Sequence, residues 1–170
     1  MTGLIVVADT TPLRYLVAIG CEHVLPSLYG RVLIPPAVAE DLDQESTPIV
    51  VRTWLAARPG WLEIREPTRA LGPAVELDKG ERQAIALAEE VAAGLLLVDD
   101  WDARIEAERR RLHVAGTLRV LADAATRGLI DLAASFERLR LTNFRVSSEL
   151  LEALLEESGR SKPTDRPGRE

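Results

Sequence analysis

Acidic residues that stand where apolar runs end are the part of this sequence with chemistry to offer. Asp9 follows the run Leu4 to Ala8, and Asp99-Asp100-Trp101-Asp102 follows the run Leu95 to Val98. A charge is costly in a core, whereas the carboxyl ends of strands in an open α/β sheet line a ligand crevice. Three acids within four positions repel one another unless they are exposed, capped or bridged by cations. Clustered oxygens without His or Cys ligands suit Mg2+ or Mn2+ far better than Zn2+. Phosphodiester hydrolysis is a reaction that such a cluster can serve. Carboxylates hold the ion, water becomes the nucleophile, and charge on the leaving oxygen is offset.

Two glutamates extend the set more weakly. Glu40 lies one turn into a short helix after a second strand, and Glu81 lies in the first turn of the helix that begins near Asp78. Each reaches the site only if its helix starts beside the same sheet edge. Each also has a plain structural reading, as an exposed helix residue or as a favourable charge at a helix N-terminus. Asp78 can cap its helix and leave Glu81 free for metal, and Asp102 is the expected cap of the helix Ala103 to Arg111. Thr10 and Thr117 can bond site carboxylates or simply cap helices. Arg104 and the run Arg109-Arg110-Arg111 can meet a nucleic-acid backbone, or form a solvated helix face. Trp61 and Trp101 fit either packing or base stacking. His23 and His113 lack metal-motif spacing.

Positioning these groups requires parallel strands. Short apolar runs at Leu4–Ala8, Val32–Ile34, Leu95–Val98 and Leu112–Ala115 alternate with helical patterns, so right-handed crossovers bring their C-terminal ends to one side. Trp61 to Ile64 reads as a short edge strand, and Glu66 to Pro73 as a surface loop. Helices are expected over Pro12–Ile19, Glu22–Leu28, Ala37–Leu42, Ile49–Ala57, Asp78–Ala92, Ala103–Arg111, Leu118–Arg127, Ile130–Arg140 and Glu149–Glu157. The fold class is α/β, with helices packed on a small buried sheet. Residues 1–157 form the expected domain, and 158–170, rich in Gly, Pro, Ser and charge, the expected disordered tail.

Composition narrows the setting. The 170 residues are 46% hydrophobic and 4% aromatic, which favours helices on a sheet over a sandwich or barrel. Lys+Arg 21 against Asp+Glu 27 gives a net charge of −6, so any nucleic-acid surface must be local rather than broad. The single cysteine, Cys21, leaves no internal disulfide and no thiolate cluster. No apolar run approaches the roughly 20 residues of a membrane span, and no signal-type segment is present, so a cytoplasmic protein without a membrane partner is expected.

Five segments in order, VVADTTPL, VLIPPAVAEDL, LDKGERQAIALA, LLLVDDWDAR and VAGTLRVL, together resemble the PIN-domain family, in particular small prokaryotic PIN-like nucleases related to toxin ribonucleases. The resemblance covers Leu4 to about Leu155. It implies a three-layer α/β/α fold, a Mg2+- or Mn2+-dependent nuclease centre, and RNA as substrate. Carried over by position, it selects Asp9, Glu40, Glu81 and Asp99 as catalytic and metal-binding, with Asp100 as a further ligand and Thr117 in support. It also implies a small antitoxin protein and a homodimer. A toxin of a type II pair, a housekeeping RNA-processing nuclease and a non-catalytic PIN-like module all match this pattern.

Overall fold

Residues 4–72 and 76–161 are described by a computed structural model. Five strands form one sheet: β1 (Val6–Ala8), β2 (Val32–Ile34), β3 (Leu62–Ile64), β4 (Leu95–Leu97) and β5 (Val114–Ala115). Their spatial order is β3-β2-β1-β4-β5, and every pairing is parallel. The order reverses direction at β1, between β2 and β4. In an open parallel sheet, that switch opens a crevice at the carboxyl ends of the strands.

The helices are α1 (Thr10–Ala18), α2 (Val24–Tyr29), α3 (Pro36–Leu42), α4 (Ile49–Ala56), α5 (Lys79–Glu90), α6 (Trp101–Arg109), α7 (Thr117–Thr126), α8 (Leu132–Arg140) and α9 (Ser148–Ser161). They cover both faces of the sheet because the strands alternate. Val6, Ala8, Ile34 and Leu97 point into one core with Leu13, Leu16, Val120, Leu121 and Phe136 from the helices. Val7, Leu33, Leu96 and Val98 point into the other, against Ile85, Leu87, Ala103 and Ala107 of α5 and α6. The result is a three-layer α/β/α arrangement in which even the central strands are buried on both sides.

Most expected elements are present with ends shifted by a residue or two. α1 begins at Thr10, so Asp9 rather than a threonine takes the cap position. The side chain of Asp100 accepts from the Ala103 N–H and caps α6, leaving Asp102 in the first turn, which corrects the cap expected there. α9 runs to Ser161, past the expected end at Glu157; the remainder of the expected tail, 162–170, and Pro73 of the expected loop lie outside the described residues. Among the described residues, no helix is long and apolar enough to cross a membrane.

Candidate functional site

Asp9 sits at the switch point. Its backbone N–H donates to the Leu97 carbonyl at 2.8 Å, continuing the β1–β4 ladder by one residue and bringing Asp9 level with the end of β4. Its side chain is only 4% exposed, yet forms no capping hydrogen bond to α1. A buried carboxylate not used as a cap calls for another explanation than helix stability. Burial pushes its pKa up to about 7; the Thr10 N–H opposes this, and the negative fields of Asp78, Asp41 and Asp99 add to it.

Asp99 ends β4 and is fixed by α7. Its two oxygens accept from the Thr117 N–H at 2.8 Å and the Thr117 hydroxyl at 2.6 Å. Burial raises its pKa, while the two Thr117 bonds and the nearby Arg104 guanidinium work the other way. Thr117 is itself fully buried, so Asp99 is held from two directions.

The third wall comes from α5 and α3. Asp78 and Glu81 form a reciprocal capping box: the Glu81 N–H donates to Asp78 Oδ1 at 2.8 Å, and the Asp78 N–H donates to Glu81 Oε2 at 3.2 Å. Glu81 is therefore not free, as the sequence reading allows, but shares its carboxylate between the helix start and the pocket. Burial pushes its pKa up to about 8, with Asp78, Asp100 and Asp9 adding repulsion.

On α3 the structure selects Asp41 in place of Glu40. Asp41 Oδ2 accepts from the Thr10 hydroxyl at 3.0 Å, whereas Glu40 is exposed and pairs with Lys79 at 3.5 Å. Asp41 also has a raised pKa, chiefly from burial, with Asp78 and Glu40 adding repulsion. The physical reason is helix phase. Ala37, Val38 and Leu42 are the buried residues of α3, and at 100° per residue Asp41 falls between Ala37 and Val38 while Glu40 falls on the far side.

Asp99 lines a neighbouring cavity, while Asp9, Thr10, Arg14, Asp41, Asp78 and Glu81 line one of about 310 Å³. Its floor is Gly80. A Cβ at that residue would lie 2.7 Å from Asp41 Oδ2, 3.5 Å from Asp78 Oδ1 and 3.6 Å from Asp9 Oδ1, so three carboxylates from separate segments face one point. Gly116 plays the same part near Asp99, where a Cβ would stand 2.6 Å from Asp99 Oδ1 and 3.3 Å from an Arg104 nitrogen.

Of the residues singled out in the sequence, Asp9, Thr10, Glu81, Asp99, Thr117 and Arg104 thus gather at the carboxyl edge. Asp100 borders it while capping α6. Arg109 and Arg110 lie at the other end of α6, where both pair with Glu106 and Arg110 also pairs with Glu89. Arg111 follows that helix at φ 62. Asp41 and Asp78 are pocket acids that the sequence reading does not assign to the site, passing over the first and giving the second only a cap role; the period of α3 carries the signal for Asp41.

The donor set suits a hard divalent cation: oxygens only, held by Thr10, Thr117 and backbone amides. Among the described residues, none of Asp9, Asp41, Asp78, Glu81 and Asp99 has an ion-pair partner within 4.0 Å. The fit is one of chemistry and charge rather than of a closed shell, since among the described residues no group of three or more His, Cys, Asp or Glu side chains is arranged so that it could hold a metal ion.

Comparison with known proteins agrees with this architecture. One solved structure similar in fold is a PilT N-terminus domain protein, SSO1118, from the hyperthermophilic archaeon Sulfolobus solfataricus P2. Its TM-score is 0.52 at 16% identity, covering 71% of this chain and 93% of that one. No curated protein matches the chain. Residues 5–160 match the family model DUF3368, described as a PIN domain. Because that match spans nearly the whole chain, the protein belongs to this PIN-domain family.

Proposed function

We propose that this protein is a Mg2+- or Mn2+-dependent endoribonuclease that hydrolyses phosphodiester bonds in single-stranded RNA. We further propose that it is the toxin of a type II toxin–antitoxin pair, restrained by a small antitoxin and acting as a homodimer. The observation that carries the nuclease reading is the gathering at one sheet edge of Asp9, Asp41, Glu81 and Asp99, from four separate segments, none of them with an ion-pair partner within 4.0 Å among the described residues. Membership of the PIN-domain family supports it.

Asp9, Asp41, Glu81 and Asp99 would hold the ion, with Asp78 and Asp100 beside them. When bound, such an ion supplies Lewis-acid stabilisation of the phosphoryl oxygens and makes water a better nucleophile. The protein's own part is orientation. Thr117 fixes both oxygens of Asp99, Thr10 aims Asp41, and the capping box fixes Glu81. Arg104, next to Asp99 at the rim, can meet a substrate phosphate.

The test is turnover of single-stranded RNA by the purified chain with Mg2+ or Mn2+, compared with EDTA. Cleavage is expected only with the ion, and Asp9→Asn is expected to lower the rate by at least ~100-fold, more than loss of an outer-shell partner usually costs. Unchanged cleavage by a folded Asp9→Asn protein would remove the proposed centre. A short neighbouring reading frame whose product inhibits the cleavage is expected if the toxin reading holds.

The lack of a preformed group of three ligands among the described residues favours a second reading: a non-catalytic PIN-like module whose acidic groove takes a basic protein segment. Calorimetric titration with Mn2+ alongside the cleavage assay separates the two. Tight binding of a basic peptide with neither metal uptake nor cleavage would select the module.

A further inference from the structure

Beyond Asp99 the site edge opens into a second cavity of about 530 Å³, between the start of α7 and the segment that leads into α9. Its charge is opposite to that of the carboxylate pocket. Arg104, Arg119 and Arg145 line it, with Leu118, Val146 and Leu150 as an apolar wall and Asp99 and Gly116 at the end shared with the site. Arg119 is engaged by Asp123 at 3.2 Å. Arg104 and Arg145 have no ion-pair or side-chain hydrogen-bond partner among the described residues. In a chain of net charge −6, guanidinium groups without ion-pair partners beside an apolar wall suit a ligand that is both anionic and apolar.

From this we infer that the groove is the track of the substrate strand: Arg104 and Arg145 grip successive phosphates of single-stranded RNA on the α7–α9 side of the carboxylates, and the bases lie against Leu118, Val146 and Leu150. The inference rests on the ribonuclease reading and adds to it a direction. The strand leaves the acidic pocket past Asp99, over Gly116, and not along α6 towards Arg109 and Arg110, which are neutralised by Glu106 and Glu89. Arg–phosphate contacts and base packing on apolar side chains are the two components of sequence-tolerant single-strand binding.

The test uses the full chain carrying Asp9→Asn, so that binding is read without turnover, and a fluorescein-labelled mixed-sequence RNA 10-mer followed by anisotropy in Mg2+ buffer. Replacing Arg104 and Arg145 together by Ala is expected to raise Kd about 10-fold or more and to flatten the log Kd against log salt slope by about 1.4, for two lost phosphate contacts. The Arg104→Lys, Arg145→Lys pair keeps the charge and is expected to recover most of the affinity. Arg31→Ala, at the opposite sheet edge where Arg31 pairs with Glu63, is expected to change neither value. If the 10-mer binds and both alanine changes leave Kd and slope untouched, the groove is overturned while cleavage by the unaltered protein keeps the nuclease reading. If the arginines govern binding but the unaltered protein cleaves nothing, the groove stands and the nuclease reading falls. No binding by any variant overturns the groove as well, and a loss confined to the binding of an acidic peptide would overturn it in favour of a protein partner.

Discussion

Single positions decide what this pocket can hold, and α3 shows it at the resolution of one residue. Glu40 and Asp41 are adjacent acids, but only Asp41 turns towards Thr10 and Asp9. Asp41→Asn is therefore expected to reduce Mn2+-dependent RNA cleavage by at least ~10-fold, as loss of an oriented carboxylate does, while Glu40→Gln stays within about twofold of the unaltered protein. Steady-state cleavage of both purified variants checks this, and the reverse ranking would sink the geometric assignment. The choice was legible in principle. In a helix the residue that lies between two buried neighbours on the wheel faces inward, and Asp41 lies between Ala37 and Val38. What hid it was the shortness of α3: with only seven residues, its buried face rests on Ala37, Val38 and Leu42 alone, too few for a periodic signal that stands out. Asp9 and Asp99 were legible for the opposite reason, since a charge ending a continuous apolar run has a single sheet edge to go to.

Elements act here through their first turns. The starts of α1, α5, α6 and α7 converge on the same edge, and in two of them a glycine stands where a side chain would displace a carboxylate. Gly116 has φ −97, which any residue adopts, so it is space and not backbone freedom that this position needs. Gly80 is buried inside the first turn of α5. Alanine at a helical position ordinarily improves stability by about 1 kcal/mol over glycine. Gly80→Ala is thus expected to leave the melting temperature unchanged or slightly higher, yet to weaken Mn2+ binding and cleavage about 10-fold or more by pushing Asp41 aside. Gly116→Ala is expected to weaken binding and cleavage likewise through Asp99, but to lower the melting temperature, since Gly116 caps α7 and alanine is a poor cap. Calorimetric Mn2+ titration and thermal melts on the same samples check both, and full activity in either variant would show that the carboxylate positions are not critical. The caps themselves were partly legible: Asp78 three residues before Glu81 is a capping-box spacing, while the cap of α6 moved from Asp102 to Asp100 because that helix begins at Trp101 rather than Ala103.

For the molecule as a whole, the site is a store of unfavourable charge. Asp9 and Glu81 have folded-state pKa values of about 7 and about 8, raised first by burial and then by repulsion from neighbouring acids. The folded chain therefore binds more protons than the unfolded chain from about pH 4 upward, and the metal-free protein loses stability as pH rises through the window that ends near 7 for Asp9 and near 8 for Glu81. Thermal melts in EDTA are expected to show a melting temperature several degrees lower at pH 8 than at pH 5.5, since about 1 kcal/mol moves a domain of this size by roughly 2–4 °C. Asp9→Asn should flatten that dependence and be the more stable protein at pH 8. A melting temperature that rises from pH 5.5 to 8 in EDTA would contradict the burial of these acids. Glu90, which accepts from Thr68, and Glu106, which accepts from Arg110, have lowered pKa values and so work in the opposite direction.

At the same scale, the α/β architecture was readable from the alternation of apolar runs and helical patterns. β1, β2 and β4 were the plainest, being fully apolar and buried on both faces. β5 was the least so, since two residues carry almost no periodic signal. What no local pattern could supply was the pairing of Arg110 with Glu89 of α5, whereas the pairing of Arg109 and Arg110 with Glu106 follows from their three- and four-residue spacing on α6.

The reciprocal bonds between Asp78 and Glu81 give the acidic cleft a mechanical side. Each of these side chains has one oxygen committed to an amide of the other and its second oxygen without a hydrogen bond among the described residues. Whatever draws on those carboxylates from solvent also tugs at the first turn of α5, so that occupancy of the cleft and the firmness of that helix start rise and fall as a single property.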